Sequence, residues 1–162
     1  MTISEGKGLP RATLLEMGEN GPRPVDLAER LKGRKVVLFG LPGAFTRTCS
    51  SAHVPSFIRT KPEFDKKGVD EIICVSVNDP FVMKAWGEIS GATEAGITML
   101  ADPEAEFATA IDMVFSNPAD GLINRMKRFA LYAEDGVVKV LHVEVGRGVC
   151  ELSGGESMLA AI

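Results

Sequence analysis

Cysteine is scarce in this chain: three in 162 residues, at positions 49, 74 and 150. An odd and widely spaced set is not the even, dense framework that staples small secreted domains. A reducing compartment, the cytoplasm, is therefore expected, and each thiol must be explained as packing or as chemistry. No run approaches the ~20 apolar residues of a membrane span. Positive charge is not in surplus either, for the net charge is −4. That argues against nucleic acid and anionic membranes as partners, because both require clustered cations. Residues 1–10 lack a basic patch followed by an apolar stretch, so no secretory signal is expected. Repeats, low-complexity segments and long linkers are also missing, and the expectation is one domain over residues 1–162. Short metal-ligand spacing is missing too. Cys49, Cys74, Cys150, His53 and His142 are the right ligand types, but no pair shows the Cys-x-x-Cys spacing of zinc sites, and no metal is expected.

What is present is a layered pattern. Residues 35–39 (KVVLF) form a short apolar, β-branched run, as expected of a strand buried on both faces. Gly40, Pro42 and Gly43 end it, and a helix is predicted from about residues 46–49 to just before Pro62, kinked by Pro55. Residues 71–77 (EIICVSV) read as a second buried strand and 81–89 as a helix. A third strand at 97–100 and a short helix at 104–111 follow. Residues 128–133 and 137–143 flank Glu134-Asp135-Gly136, a hairpin signal in which glycine takes the positive φ of the turn. Residues 153–162 read as a closing helix with Ser153 as N-cap and Glu156 as its capping-box partner. Strands alternating with helices, then a hairpin and a helix, predict an α/β layered sheet in thioredoxin-like order, mostly parallel with an antiparallel edge.

The chemistry concentrates at residues 41–49. A strand delivers the chain to a Pro/Gly loop, which feeds Cys49 into the first turn of a helix. Free amides at that end carry partial positive charge and favour a thiolate, the nucleophilic form of cysteine. A dithiol reductase would carry a second cysteine three residues earlier, but that residue is Thr46, so no disulfide forms within this loop. The site suits a single reactive sulfur with a hydroxyl beside it. The plainer alternative is that Thr46 or Thr48 caps the helix and Cys49 packs as a small hydrophobe.

The spacing Pro42-x-x-x-Thr46-x-x-Cys49 resembles the peroxidatic motif of peroxiredoxins. The longer string LPGAFTRTCSSAHVPSF over residues 41–57 is similar to the five-type, or type II, subfamily. The likeness continues through residues 69–83 (VDEIICVSVNDPFVM), returns at Lys127-Arg128-Phe129-Ala130, and spans the chain from Leu14 to its end. One departure is Arg47, where the family usually has proline. The resemblance implies a thioredoxin-like α/β fold, a central mixed β-sheet flanked by helices. It also implies a thiol-dependent peroxidase, without metal or cofactor, acting on hydrogen peroxide and alkyl hydroperoxides.

On the same resemblance Cys49 attacks the peroxide and becomes a sulfenic acid. Arg128 stabilises the leaving oxygen, Thr46 hydrogen-bonds the bound peroxide, and Pro42 shields the pocket and shapes the loop. Read without the resemblance, Arg128 is a solvated charge beside Arg125 and Lys127. His53 lies four residues after Cys49 on one helical face, yet a lone histidine usually makes a structural hydrogen bond, and it is left out of the catalytic set. Two thiols are candidates to resolve the sulfenic acid. Cys74 matches the second cysteine of plant-like type II members, or is core filler in its strand. Cys150 matches the resolving position of animal members more loosely. A third route needs neither, with glutathione, glutaredoxin or thioredoxin attacking Cys49 directly. Type II members also commonly pair as homodimers, and the loops bearing Phe45 and Phe81 are the expected contact. Two rival readings stand beside it: a metal site, which lacks the short ligand spacing, and a redox-sensing or chaperone-like binding module on the same fold that uses Cys49 as a switch.

Overall fold

The computed structural model describes residues 2–146 and 148–162. Nine strands and five α-helices follow one another as β1 (Thr13–Gly18), β2 (Gly21–Asp26), α1 (Leu27–Leu31), β3 (Lys35–Leu41), α2 (Val54–Lys66), β4 (Glu71–Ser76), α3 (Pro80–Ser90), β5 (Thr98–Ala101), α4 (Glu106–Ala110), β6 (Val114–Asn117), β7 (Leu122–Met126), β8 (Phe129–Glu134), β9 (Val137–Val143) and α5 (Gly155–Ala161). A π-turn at Cys49–His53 leads directly into α2.

Seven strands form one sheet in the order β2-β1-β5-β4-β3-β8-β9, and β6 and β7 make a separate hairpin. Only the β5-β4 and β4-β3 pairings are parallel; the others are antiparallel. The sheet is thus mixed rather than mostly parallel. Alternate side chains of the central strands feed opposite layers, as the two-residue period of a strand requires. Val36, Leu38, Ile73 and Val75 enter one buried cluster with Phe107 and Phe129. Val37, Phe39, Ile72 and Cys74 enter the other, with Cys49, Phe57, Phe64, Trp86 and Met158. The reactive-thiol candidate and Cys74 therefore share one face of the sheet.

The central strands, the 81–89 helix and the hairpin lie close to their predicted places. Asp135 and Gly136 both take positive φ, 51° and 75°, which makes the turn between β8 and β9 one that glycine favours. Three further expectations fail. The helix after Cys49 does not stop before Pro62 but runs on to Lys66. An interior proline costs ~3 kcal/mol; wholly burying Phe64 beyond it returns roughly 2–3 kcal/mol. Pro55 does not kink a helix midway; it stands at the start of α2, behind a turn already widened so that Val54 N–H donates to the Cys49 carbonyl. Ser153 is not an N-cap: α5 begins at Gly155, and the Ser153 amide and hydroxyl both donate to Glu144. Glu156 pairs with Arg59 at 2.7 Å instead.

Candidate active site

β3 ends at Leu41, and the chain turns through Pro42 and Gly43 before entering the helical run that contains Cys49. The loop is held from two sides. Arg125 Nη1 donates to the Pro42 carbonyl at 3.0 Å, and the Ala44 amide donates to Asn78 Oδ1 at 2.9 Å. Gly43 is required for the first contact, because a Cβ there would stand 2.3 Å from the same Arg125 nitrogen. Phe45 adopts φ 64°, a left-handed conformation uncommon for a bulky residue. Its ring is turned outward, 53% exposed, with its centroid 6.5 Å from that of Trp86.

Cys49 is buried, and Arg128 Nη2 donates to its Sγ at 3.3 Å. Arg128 is itself buried, so the solvated alternative for this residue does not hold. Its guanidinium is aimed by His53: Arg128 Nη1 lies 2.9 Å from His53 Nδ1, and His53 Nε2 lies 2.9 Å from the Ser153 carbonyl. A guanidinium only donates and a carbonyl only accepts. The imidazole must therefore be neutral, with its proton on Nε2 and its lone pair on Nδ1. Burial, followed by the Arg128 charge, lowers its pKa from 6.5 to about 3. His53 thus makes the structural hydrogen bond expected of it, but to the cation that touches Cys49 Sγ.

Ser153 is held in turn by Glu144 through its amide and hydroxyl. This carboxylate accepts from the amides of Glu151, Leu152 and Ser153 and from the Ser153 hydroxyl, over 2.6–3.2 Å. Burial pushes the Glu144 carboxyl up, but these donors outweigh it and hold it below its usual value. Glu144 also donates its own amide to the Arg128 carbonyl at 3.0 Å. The outcome is a continuous chain, Glu144–Ser153–His53–Arg128–Cys49.

Thr46 and Pro42 line a groove of about 350 Å³ beside Arg128, together with Arg47, Phe115, Leu122 and Lys127 among others. The Thr46 hydroxyl donates to the Gly43 carbonyl at 2.6 Å, which leaves its oxygen lone pairs as acceptors. Pro42, Thr46, Cys49 and Arg128 are therefore gathered at one place, although they come from positions up to 86 residues apart in sequence. Cys74 is wholly buried in β4, the middle strand of the sheet, and burial pushes its thiol well up, the Cys49 charge adding to the effect. Cys150 is half-buried in the segment between β9 and α5; burial raises its thiol too, opposed by Arg128. All three cysteines are free thiols.

A buried single thiol under a fixed guanidinium, with an acceptor hydroxyl in the adjoining groove, is equipped to deliver a thiolate to a small polar electrophile. Comparison with known proteins identifies the electrophile. The Redoxin family model matches residues 4–159. The rice protein Peroxiredoxin-2E-2, chloroplastic, is 47% identical over 165 aligned residues, covering 99% of this chain and 73% of its own. The chain belongs to the peroxiredoxin family. Peroxiredoxin-2B of Arabidopsis thaliana is 42% identical and covered to 98%. The crystal structure of reduced Prx3 from Vibrio vulnificus in complex with H2O2 superimposes with a TM-score of 0.93 at 43% identity, with 99% of each chain covered. This peroxiredoxin is a thiol-dependent peroxidase whose substrate is a hydroperoxide, and its fold is thioredoxin-like. No described helix is long and apolar enough to cross a membrane.

Sequence reasoning missed Glu144, Ser153 and Arg125 as parts of this site and undervalued His53. For His53 the signal was its i+4 spacing from Cys49. For Glu144 no local signal exists, since its partners lie in a loop whose path is set only by tertiary packing.

Proposed function

We propose that Cys49 is the peroxidatic nucleophile, with Arg128, Thr46 and Pro42 as its immediate partners. The thiolate sulfur attacks the terminal oxygen of R–O–O–H, the O–O bond breaks, the terminal oxygen and its hydrogen stay on sulfur as Cys–S–OH, and R–O⁻ leaves to take a proton from water. Charge moves from sulfur to the leaving oxygen in that step, so a donor fixed in advance next to the sulfur lowers the barrier. The observation that carries this reading is the buried Arg128 donating to Cys49 Sγ while His53 locks its orientation. Thr46 Oγ1, its own proton committed to Gly43, accepts from the peroxide hydroxyl. Pro42 forms part of the groove wall and keeps water off the sulfur.

An external thiol then attacks the sulfenic sulfur, giving a mixed disulfide and water; glutathione, glutaredoxin or thioredoxin is the proposed donor. The position of Cys74 supports an external donor, because reaching Cys49 would disrupt the centre of the sheet. A second reading is favoured by Cys150. It lies off the sheet, is half-exposed, and its Sγ stands 4.0 Å from the hydroxyl of Ser153, whose carbonyl holds His53. The chain works as one domain over residues 1–162, a proposal supported by a single sheet that draws strands from both halves. It pairs as a homodimer through the face bearing Phe45 and Phe81, which are 53% and 63% exposed. A cytoplasmic location is supported by the three free thiols.

The test is to mix fully reduced protein with one equivalent of hydrogen peroxide and follow intact mass, beside Cys49→Ser. A rapid, persistent gain of one oxygen supports the external donor. Loss of two hydrogens supports an internal disulfide, and peptide mapping then decides between Cys150 and Cys74. No fast change, or the same change in Cys49→Ser, refutes Cys49 as the nucleophile.

A further inference from the structure

The groove beside Cys49 is far larger than hydrogen peroxide needs. A water molecule has about 30 Å³ of liquid volume and hydrogen peroxide, with one more oxygen, about 40 Å³, whereas the groove holds about 350 Å³. One part of its wall is apolar: Pro42, Phe115, Leu122 and Val145, the last 93% exposed. The other part is charged. Arg128 is held by Cys49 and His53, and Glu144 by four neutral donors of residues 151–153. Asp120 accepts from the neutral Asn117 Nδ2 at 2.6 Å and, like Glu144, keeps its negative charge, so the three cations Arg47, Lys127 and Arg128 leave the described lining with a net charge of +1. Arg47 and Lys127 line the same groove, are exposed, and make no ion pair among the described residues. A groove with an apolar wall and two uncommitted cations complements an amphiphile that carries one negative charge.

We propose that Arg47 and Lys127 form a carboxylate-binding rim that selects organic hydroperoxides bearing a carboxylate on an aliphatic chain. This rests on the reading of Cys49 as peroxidatic nucleophile and deepens it. The chain lies on Pro42, Phe115 and Leu122, the hydroperoxide reaches Cys49 and Arg128, and the carboxylate pairs with the two rim cations. Arg47 thereby gains a role: where the family usually has proline, this chain places a bidentate carboxylate partner two residues from the reactive sulfur. Exposed pairs are weak individually, so the two cations together give a preference of about 3- to 10-fold.

The experiment compares 6-hydroperoxyhexanoic acid, ionised at pH 7.5, with its primary amide of the same length. Second-order rate constants for oxidation of the reduced protein are followed by stopped-flow fluorescence. The chain's one tryptophan, Trp86, is a suitable reporter, since it is buried with Cys49 and donates to Ser50 Oγ at 3.1 Å. The acid is expected to react about 3- to 10-fold faster than the amide at low salt. The advantage should shrink in 0.5 M NaCl, where screening shortens to a few Å, and disappear in the Arg47→Gln/Lys127→Gln double variant. Equal rates for acid and amide in the wild type overturn the proposal, as does an advantage that salt and the double variant leave intact. Hydrogen peroxide run in parallel separates the two levels. Failure of the wild type to react with it sinks the nucleophile assignment, whereas normal reaction with equal acid and amide rates removes only the rim.

Discussion

Lowering the pH from 7 to 5 should destabilise this protein by about 2 kcal/mol through His53 alone, and lowering it to 4 by about 3 kcal/mol. The imidazole is neutral in the folded chain, its pKa brought to about 3 by burial and by Arg128. In the unfolded chain it returns to about 6.5. Between those values the unfolded state binds a proton that the folded state refuses, so stability rises with pH across the window and is lost as pH falls. The full difference, at ~1.36 kcal/mol per pKa unit, amounts to at most about 5 kcal/mol. The carboxyls of Glu144 and Glu71, held below their ordinary values, lose their contributions only at lower pH, and the Asp102 carboxyl, raised by burial, works in the opposite direction and cancels in a comparison of two proteins that share it. The assay is urea unfolding at pH 7, 6 and 5, read by Trp86 fluorescence, with His53→Gln alongside. Glutamine keeps a donor and an acceptor but does not titrate, so its stability should fall less steeply with pH by up to ~1.4 kcal/mol per unit. The slope is the readout, so a variant that is less stable throughout still tests the idea. Parallel pH dependences for the two proteins would refute the neutral, Nε2-protonated histidine and with it the locked Arg128.

Other outcomes follow from the same contacts. Arg128→Gln should slow Cys49 oxidation by hydrogen peroxide about 10²- to 10³-fold, the usual cost of one charge-stabilising donor; an unchanged rate constant would show that the 3.3 Å contact has no catalytic weight. In the native protein at pH 8, iodoacetamide should modify Cys150 well before Cys74, because burial raises the Cys74 thiol and closes off its strand; mass spectrometry finding Cys74 modified as fast would contradict that packing. Glu144→Gln replaces one acceptor oxygen by an N–H₂, which faces either the exposed amides of Glu151 and Leu152 or the buried Ser153 amide, the latter at a cost of about 1–3 kcal/mol. Cys150 alkylation should then accelerate several-fold, and an unaltered rate would mean Glu144 does not hold residues 151–153. Gly43→Ala should lower stability by about 1–3 kcal/mol through its clash with Arg125, measured as a fall in Tm.

Much of the site was legible along the chain because it is local. Cys49 sits where a strand, a Pro/Gly loop and a helix meet, and that order shows in residues 35–57. The central strands were legible because burial on both faces leaves continuous apolar runs such as EIICVS, and the Asp135-Gly136 turn because both residues tolerate positive φ. The β1–β2 hairpin escaped notice because Pro22 and Pro24 break the strand pattern. The structure tolerates them because β2 is an edge strand, where missing amide donors cost little. The continuation of α2 through Pro62 was equally hidden, since a local rule stops a helix there and only the packing of Phe64 overrides it.

The identities of Pro42, Thr46, Cys49 and Arg128 were thus available from residue order, and so were the family and its chemistry. Whether Arg128 is a surface charge or the partner of Cys49 Sγ was not, because that depends on β8 running antiparallel beside β3, which carries Arg128, the residue just before β8, to the Cys49–His53 turn. The same holds for the protonation state of His53 and the grip of Glu144 on residues 151–153. Each needs partners 7 to 100 residues away, brought within 3.2 Å only when both layers have closed on the sheet. Local sequence determines conformational preference and reactive type; burial, charge pairing and tautomer are set by what the fold places opposite.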